Sequence, residues 1–214
     1  MRSGEATPIV SVVIPTHRRE KLLQRSLRSV LQQDYPELEI WVIDQDPTKR
    51  LIQSCAEELA DARVRYVNLP NAGTSRAKNF GIERAQGEFL LFLDDDAHAL
   101  TPSWVRSYVR VFQQIPEAGL VTGKILGEWP GEVPSWFPGE YGYLLGQYDL
   151  GDEDCPMPEG HLPLGGNMGG RTDLIRELGG FDTRFGYNNF SKRSVGGEDS
   201  LLGQAACKAG WRMY

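Results

Sequence analysis

The chain has 214 residues, of which 40% are hydrophobic and 24% are charged, and its formal net charge is −6. This length and composition suit one globular domain, or one domain with an appended lobe. The negative charge argues against a nucleic-acid binder that relies on a basic surface, and no run reaches the roughly 18 apolar residues that span a bilayer.

The start of the chain and its cysteines indicate a compartment. The apolar run at residues 9–14 is too short and wrongly flanked for a signal peptide, so we expect a cytoplasmic protein. Cys55, Cys155 and Cys207 are odd in number and lack C-x-x-C spacing, which predicts free thiols and not a disulfide frame or zinc site. The residues Asn189-Phe190-Ser191 match a glycosylation sequon, and we interpret this as a chance match because no secretion is expected.

The first 126 residues alternate between strand-like and helix-like patterns. Apolar runs predict strands over residues 9–14, 39–44, 64–67, 88–93 and 120–125, with Pro15 closing the first. Helical spacing of apolar residues predicts helices over 23–31, 51–59, 77–85 and 105–112, the last with Thr101 as N-cap and Pro102 at its first position. This alternation predicts an α/β fold with a mostly parallel sheet and helices on both faces.

Polar clusters follow three of the predicted strands. They are Thr16-His17-Arg18-Arg19, Asp44-Gln45-Asp46 and Asp94-Asp95-Asp96. Ligands of such sheets bind outside the carboxyl ends of the strands. We therefore expect the three clusters to border one binding site.

The cluster Asp94-Asp95-Asp96 suits a hard divalent cation. Asp94 and Asp96 occupy alternate positions, so on an extended segment they point the same way. Crowded carboxylates are costly unless a cation or a donor neutralises them. Mg²⁺ or Mn²⁺ takes oxygen ligands, and Mg²⁺ usually keeps several waters and binds substrate phosphates. The alternative interpretation is a solvated acidic turn or helix cap, in which Asp is common.

Residues 127–163 are rich in Gly, Pro and aromatic residues and follow no regular period. A structureless segment of this length is usually functional or disordered, and its aromatic residues argue against disorder. Rings such as Trp136 and Tyr143 can stack on sugar faces, but they can also fill a small satellite core. Both interpretations stand at this point.

The last third begins with a glycine-rich run, residues 164–170, and continues into a helical pattern that a glycine pair at 179–180 ends. A second pair at 196–197 precedes Glu198 and Asp199, which begin a closing helix. Negative charge is favourable in the first turn of a helix. Taken alone, these two acids are explained by helix capping.

Together these segments resemble the inverting family 2 glycosyltransferases, which have the GT-A fold and use nucleotide-sugar donors. The resemblance covers nearly the whole chain, and its motifs occur in the family's order. They lie at residues 10–16, 42–44, 71–73, 77–82, 85–88, 93–96, 166–168, 180–182 and 197–199. It implies a nucleotide-sugar-binding half over residues 1–126, and an acceptor-side and catalytic-base half of the same domain over 127–214.

The resemblance also implies a role for each matching residue. Asp94 and Asp96 match the DxD motif, whose Mn²⁺ or Mg²⁺ ion bridges the donor diphosphate. Asp199 matches the catalytic base, with Glu198 beside it. The residues assigned to the donor are Pro15 and Thr16 bordering the nucleotide, Asp44 at the base, Lys78 near phosphate where the family more often has Arg, Asp95 with an open role, and Gly166 and Asn167 lining the sugar pocket.

The chain also departs from the family pattern. Asp44-Gln45-Asp46-Pro47 replaces the usual Asp-Asp-Gly-Ser, which leaves the nucleotide base undetermined. The Gln-x-x-Arg-Trp motif of processive members is absent after Asp199, which favours transfer of one sugar over polymer synthesis. Many relatives continue beyond the position of Tyr214, so an acceptor or membrane-association region is expected to lie outside this sequence.

The function implied is transfer of one sugar, with inversion and metal assistance, from a nucleoside-diphosphate sugar to an acceptor hydroxyl. The acceptor is a glycan, a lipid-linked molecule or a small molecule, and no nucleic acid is involved. This function is compatible with a protein that associates peripherally with the membrane and acts at its inner face. The alternative is a non-catalytic carbohydrate- or nucleotide-binding protein on the same fold, since a fold alone does not establish a function.

Overall fold

The computed structural model describes residues 6–129, 131–187 and 195–214, so the sequon at 189–191 lies outside the described residues. The strands are β1 Val10–Thr16, β2 Leu38–Asp44, β3 Val64–Asn68, β4 Phe89–Leu93, β5 Ala118–Thr122, β6 Asn167–Arg171 and β7 Arg212–Met213. The α-helices are α1 Glu20–Leu31, α2 Leu51–Ser54, α3 Ala56–Leu59, α4 Thr74–Arg84, α5 Trp104–Gln114, α6 Thr172–Glu177 and α7 Glu198–Lys208, and a 3-10 helix spans Gly139–Leu145. Of the helices in these ranges, none is long and apolar enough to cross a membrane.

The strands form one seven-stranded sheet in the order β3-β2-β1-β4-β6-β5-β7. β1 pairs in parallel with β2 and β4, β2 with β3, and β5 with β7, whereas β6 runs antiparallel to both β4 and β5. The predicted mostly parallel sheet is confirmed. The sheet also contains two strands from the last third of the chain, β6 and β7.

The sheet carries an apolar cluster on each face. Val12 and Ile14 of β1 pack with α1 and α5 in one cluster, and Val13 packs with α4, α6 and α7 in the other. Strands buried on both faces have continuous apolar sequences without alternation. This is why β4 was recognisable from sequence as an unbroken apolar run, and β1 as a nearly continuous one.

The strand β6 was not predicted, because its sequence is rich in glycine. A Cβ added at Gly170 would lie 2.6 Å from Leu120 Cδ2 and 2.8 Å from Ile175 Cδ1. At Gly169 an added Cβ would lie 2.9 Å from Tyr108 Cδ1 and closer still to Leu91. The neighbouring side chains thus fill the space beside this central strand, and glycine is required for close packing where it would otherwise weaken a strand.

Several predicted boundaries are wrong; for example, β5 spans Ala118–Thr122 and not residues 120–125. Pro15 does not close β1, which extends one residue further; the pairing with β4 ends at Val13, so no β4 partner needs an N–H from Pro15. The helix predicted over 51–59 is divided in two at Cys55, which has non-helical φ and ψ of −121° and 29°. α5 begins at Trp104, three residues after the predicted cap Thr101.

Candidate active site

A cavity of about 1440 Å³ opens at the carboxyl ends of the central strands. Five of the predicted site residues line it, namely Asp94, Asp96, Gly166, Asn167 and Asp199. Its opposite wall consists of residues between 122 and 155. The cavity therefore brings together residues from β4, from the segment before β6 and from the start of α7, which are far apart in sequence.

Asp94 and Asp96 present their carboxylates to this cavity. Their side chains are 42% and 48% exposed, whereas the side chain of Asp95 between them is 7% exposed. Residues 95 and 96 form a turn after β4 and not the extended segment that was expected, yet the side chains of Asp94 and Asp96 both line the cavity. Two half-exposed carboxylates on the same side of the chain end can receive a ligand from the cavity.

Asp95 is the buried member of the triplet. Its carboxylate accepts a hydrogen bond from Thr16 Oγ1 at 2.7 Å and another from Arg19 Nη1 at 3.0 Å. Burial raises the pKa of Asp95, and both Thr16 and Arg19 oppose this rise. Asp95 was grouped with the donor-binding residues without a specific role, and in this structure its side chain joins the end of β4 to the end of β1. Thr16 and Pro15 are themselves buried behind it.

Lys78 of α4 is a buried cation that lies beneath the cavity. The residue is 1% exposed, and its Nζ lies 3.9 Å from Asp94 Oδ1 and 3.4 Å from the carbonyl oxygen of Gly165. The ring centre of Phe181 is 5.1 Å from the same nitrogen. Buried charges are costly unless paired. In this conformation Lys78 compensates Asp94, and a direct contact with a donor phosphate would require movement.

The turn before β6 lies between Asp94 and Asp199. The Gly165 N–H donates to Asp199 Oδ2 at 2.7 Å, and the Gly166 carbonyl accepts from the Asp94 N–H at 3.3 Å. A Cβ at Gly165 would lie 2.8 Å from Lys78 Nζ, and one at Gly166 would lie 3.1 Å from Asp94 Oδ2. These two glycines allow the backbone to approach both carboxylates closely.

Asp199 is the member of the Glu-Asp pair that faces the cavity. Besides the bond from Gly165, its Oδ1 accepts a bond from the Ser200 N–H at 2.8 Å. Two backbone donors thus hold this carboxylate at the first turn of α7, where negative charge is favoured. Glu198 is 9% exposed and is absent from the described residues that line the cavity.

Asp44, predicted to contact the nucleotide base, has no exposed surface. Its Oδ1 accepts from the Asp46 N–H at 2.9 Å, and its Oδ2 accepts from the Tyr66 hydroxyl at 2.7 Å. Burial raises the pKa of Tyr66, and the neighbouring Asp44 raises it further. A base could reach Asp44 only if Tyr66 or the chain after β2 moved, so the predicted contact remains a prediction.

The side-chain amide of Asn167, predicted to line the sugar pocket, is engaged in hydrogen bonds within the protein. Its Oδ1 accepts from Trp104 Nε1 and from the Tyr108 hydroxyl, both at 2.9 Å. Its Nδ2 donates to the Lys124 carbonyl at 3.0 Å. These bonds connect α5, the end of β5 and the start of β6, so Asn167 holds the turn that carries Gly165.

Sequence reasoning did not assign roles to Arg19, Tyr66, Trp104 and Tyr108. Arg19 had a signal, because it belongs to a polar cluster that follows a buried strand. The other three are aromatic residues in ordinary strand and helix patterns. Nothing local distinguishes an aromatic residue that donates to a site residue from one that only packs.

The segment after β5 is held to the rest of the protein by ion pairs. Arg25 of α1 contacts Glu128 at 2.5 Å and Arg110 of α5 contacts Asp154 at 2.9 Å, whereas Lys124 and Asp149 pair within the segment at 2.9 Å. Trp129 and Phe137 pack with ring centres 5.2 Å apart. In contrast Trp136 and Tyr143 are 77% and 65% exposed. A satellite core therefore does not account for these last two rings, although neither lines the cavity.

Asp94 and Asp96 are the predicted ligands of a divalent cation. In the described ranges no group of three or more His, Cys, Asp or Glu side chains could hold a metal ion by itself. Mg²⁺ is usually bound by one or two carboxylates, with waters and substrate phosphates completing its shell. Two half-exposed carboxylates beside an open cavity fit that pattern. A protein-only metal cage does not fit.

Sequence comparisons match most of the chain to known proteins. The model of glycosyl transferase family 2 matches residues 11–179. A glucosyl-dolichyl phosphate glucuronosyltransferase of Haloferax volcanii is 31% identical over 181 residues, which cover 83% of this chain and 57% of that protein. A GalNAc(5)-diNAcBac-PP-undecaprenol beta-1,3-glucosyltransferase of Campylobacter jejuni is 38% identical over 99 residues, which cover 44% of this chain and 31% of that protein. The chain thus spans about half or less of the length of these relatives.

The fold is also similar to that of solved structures. The mannosyltransferase PcManGT from Pyrobaculum calidifontis, solved in complex with GDP-Man and Mn²⁺, superposes with a TM-score of 0.71. The aligned region has 22% sequence identity and covers 97% of this chain and 54% of that protein. At this identity the likeness establishes the shared fold, including the sheet that carries the cavity.

Proposed function

Because the chain belongs to glycosyl transferase family 2 and has the GT-A fold, we propose that it transfers one sugar from a nucleoside-diphosphate sugar to an acceptor hydroxyl with inversion. The observation that carries this proposal is the single cavity lined by Asp94, Asp96 and Asp199. The acids proposed to bind the cation and the candidate base thus line the same cavity. A protein that only bound carbohydrate would have no need for that combination.

Asp199 is the proposed catalytic base. An acceptor hydroxyl is a poor nucleophile until a base removes its proton as it attacks C1 of the sugar. The bonds from the Gly165 and Ser200 N–H groups orient the Asp199 carboxylate at the wall of the cavity. A single displacement at C1 inverts the anomeric configuration. Glu198, which is buried beside Asp199, is proposed to support the start of α7.

Asp94 and Asp96 are proposed to hold the divalent cation, Mn²⁺ or Mg²⁺. When bound, such a cation would neutralise the negative charge that develops on the diphosphate leaving group as the bond to the sugar breaks. Lys78 is proposed to stabilise Asp94 from below, since its ammonium lies 3.9 Å from that carboxylate. As a lysine it acts as a point charge, without the fork of the arginine common in the family.

The two parts of the chain are proposed to divide the substrates. Residues 1–126 contain the ends of β1, β2 and β4 and would receive the nucleotide, with Pro15, Thr16 and Asp44 behind its binding face. Residues 127–214 contain Asp199 and the exposed rings of Trp136 and Tyr143 and would receive the acceptor. Gly166 and Asn167 belong to the second part and line the same cavity as Asp94 and Asp199, where the transferred sugar would bind.

The acceptor is proposed to be lipid-linked. The two curated relatives described above have dolichyl phosphate and undecaprenol in their names. The segment after β5 also presents large apolar side chains to solvent, including Tyr143, Leu144 and Leu145, of which Leu145 lines the cavity. Exposed apolar patches commonly mark interaction sites. Work at the membrane surface follows from such an acceptor.

A thermal-shift screen tests the donor class. Each nucleoside diphosphate and nucleotide sugar is added with and without Mn²⁺, and the melting temperature is measured. A ligand at one hundred times its Kd stabilises the native state by about 2.7 kcal/mol, which is a shift of several degrees. We expect one nucleotide series to stabilise the protein, and to do so more strongly with Mn²⁺.

Absence of any nucleotide-dependent shift with Mn²⁺ present would favour the non-catalytic alternative over transfer. Slow hydrolysis of the stabilising nucleotide sugar without acceptor would support the enzyme. This second measurement separates the two functions even if both bind the same nucleotide.

The double change Trp136→Ala and Tyr143→Ala tests the acceptor side. We expect the acceptor KM to rise about threefold to tenfold for each ring, because aromatic contacts contribute about 0.5–1.5 kcal/mol, while the donor KM stays constant. Ile52→Ala is the control, since Ile52 is 49% exposed and does not line the cavity. An unchanged acceptor KM in the double variant would remove these rings from the acceptor site.

A further inference from the structure

One guanidinium nitrogen bridges two of the three acids that follow β4. Arg19 Nη1 donates to Asp96 Oδ2 at 2.6 Å and to Asp95 Oδ1 at 3.0 Å. The two ends of this bridge differ in environment, because the Asp95 side chain is 7% exposed and the Asp96 side chain is 48% exposed. Arg19 itself is half-exposed.

We propose that Arg19 is the internal counter-cation of the metal site: it pairs with Asp96 when no metal is bound and releases that carboxylate to the incoming cation. Asp95 retains Arg19 through the exchange. Arg19 is a positioning residue in this scheme and makes no contact with the reacting atoms. The inference rests on the proposed function only in taking Asp96 as a metal ligand.

The competition follows from the position of the Arg19–Asp96 bond. A cation bound at about 2.1 Å from Asp96 Oδ2 would lie within about 5 Å of Arg19 Nη1, because both share that oxygen. Two positive charges at this separation repel each other, and a half-exposed site screens them only in part. Metal binding at Asp96 must therefore include the free energy of separating Arg19 from it.

The burial of Asp95 decides which bond breaks. Asp95 accepts bonds only from Thr16 and Arg19 among the hydrogen bonds of the described side chains. Removing a donor from a buried carboxylate costs more than removing one from a carboxylate that water can reach. Asp96 can be solvated or can bind metal, whereas Asp95 cannot. Arg19 therefore stays with Asp95 and leaves Asp96.

This arrangement explains why three acids occur where two suffice for a metal. Asp94 is compensated by Lys78 from one side, and Asp96 is compensated by Arg19 from the other. Asp95 provides the buried anchor that keeps Arg19 within reach. The metal-free site thus avoids uncompensated repulsion among adjacent carboxylates, at the cost of weaker metal binding in the absence of donor.

The test measures Mn²⁺ affinity without nucleotide, from the electron paramagnetic resonance signal of free Mn²⁺. We expect Arg19→Gln to bind Mn²⁺ about threefold to tenfold more tightly than the wild-type protein, which is the range that loss of a partly exposed ion pair supports. Arg18→Gln is the matched control. Arg18 is 52% exposed against 47% for Arg19, carries the same charge, and pairs with Asp46 instead. We expect the Mn²⁺ affinity of Arg18→Gln to stay within twofold of the wild-type value.

Unchanged or weaker Mn²⁺ binding by Arg19→Gln would overturn the inference, and so would equal tightening by Arg18→Gln, which would indicate a general charge effect. Arg19→Lys covers the case in which the glutamine variant does not fold, because it keeps the charge on a side chain that is one bond shorter and pairs less well with both acids. It should bind Mn²⁺ more tightly than wild type and less tightly than Arg19→Gln, and affinity at or below wild type would also contradict the scheme. If neither the wild-type protein nor Arg19→Gln binds Mn²⁺, the proposed metal site fails together with this inference.

Discussion

Replacing Asp199 with asparagine is expected to lower kcat by about 10²–10⁴-fold, the range typical of a lost general base. The amide has nearly the shape of the carboxylate, but its single acceptor oxygen can keep only one of the two bonds from the Gly165 and Ser200 N–H groups. It cannot accept the proton of the acceptor hydroxyl. The measurement is initial transfer rate at saturating donor and acceptor, with donor Kd measured separately.

Donor affinity should change little in Asp199→Asn, because the acids proposed to bind the cation belong to the end of β4 and not to α7. Glu198→Gln is the informative comparison, since it removes the adjacent charge from a residue that does not line the cavity. We expect a loss of less than about tenfold there, because a charge near a helix N-terminus contributes only about 0.3–1 kcal/mol. Full transfer by Asp199→Asn would show that the base lies elsewhere.

Asparagine in place of Asp96 is expected to lower kcat/KM by about 10²–10³-fold, comparable to losing one strong electrostatic contact to a transition state. In contrast to the first variant, this one should also lose the tightening of nucleotide binding by Mn²⁺. The reason is that Asp96 is proposed to neutralise and hold the cation, and an amide oxygen carries no charge. Isothermal titration of the nucleoside diphosphate with and without Mn²⁺ measures this directly.

The control for Asp96→Asn is Asp34→Asn. The two side chains are 48% and 50% exposed, and each pairs with one arginine, Arg19 for Asp96 and Arg106 for Asp34. Only Asp96 lines the cavity. The control should keep the full Mn²⁺ effect, and a Mn²⁺ effect that survives in Asp96→Asn would exclude Asp96 as a ligand.

Most of the sheet was predictable because its strands are buried on both faces. A strand with neighbours and helices on either side needs apolar residues at successive positions, and for this reason β4 is apolar throughout and β1 is nearly so, with Ser11 as an interruption. The site could be placed in the same way, since polar residues directly after such a run must lie at the carboxyl edge of the sheet. Asp94 and Asp96 were found by this argument, and the resemblance to a family added Asp199.

The strand β6 shows where this argument fails. Its residues Gly169 and Gly170 are required by side chains from β4, β5, α5 and α6, which approach from elsewhere in the chain. A glycine chosen for close approach looks the same in sequence as a glycine chosen for a turn. The glycine-rich run over residues 164–170 therefore gave no strand prediction, although the structure has the central strand β6 there.

The sequence by itself determined the alternating α/β architecture, the edge of the sheet at which the cavity lies, and two of the acids that line it, Asp94 and Asp96. Only the tertiary structure decided what each of those acids contacts. Asp95 is buried against Thr16 and Arg19, Asp44 against Tyr66, and Lys78 beneath Asp94. The physical reason is that hydrophobic periodicity depends on near neighbours in the chain, whereas burial and charge pairing depend on residues dozens of positions away.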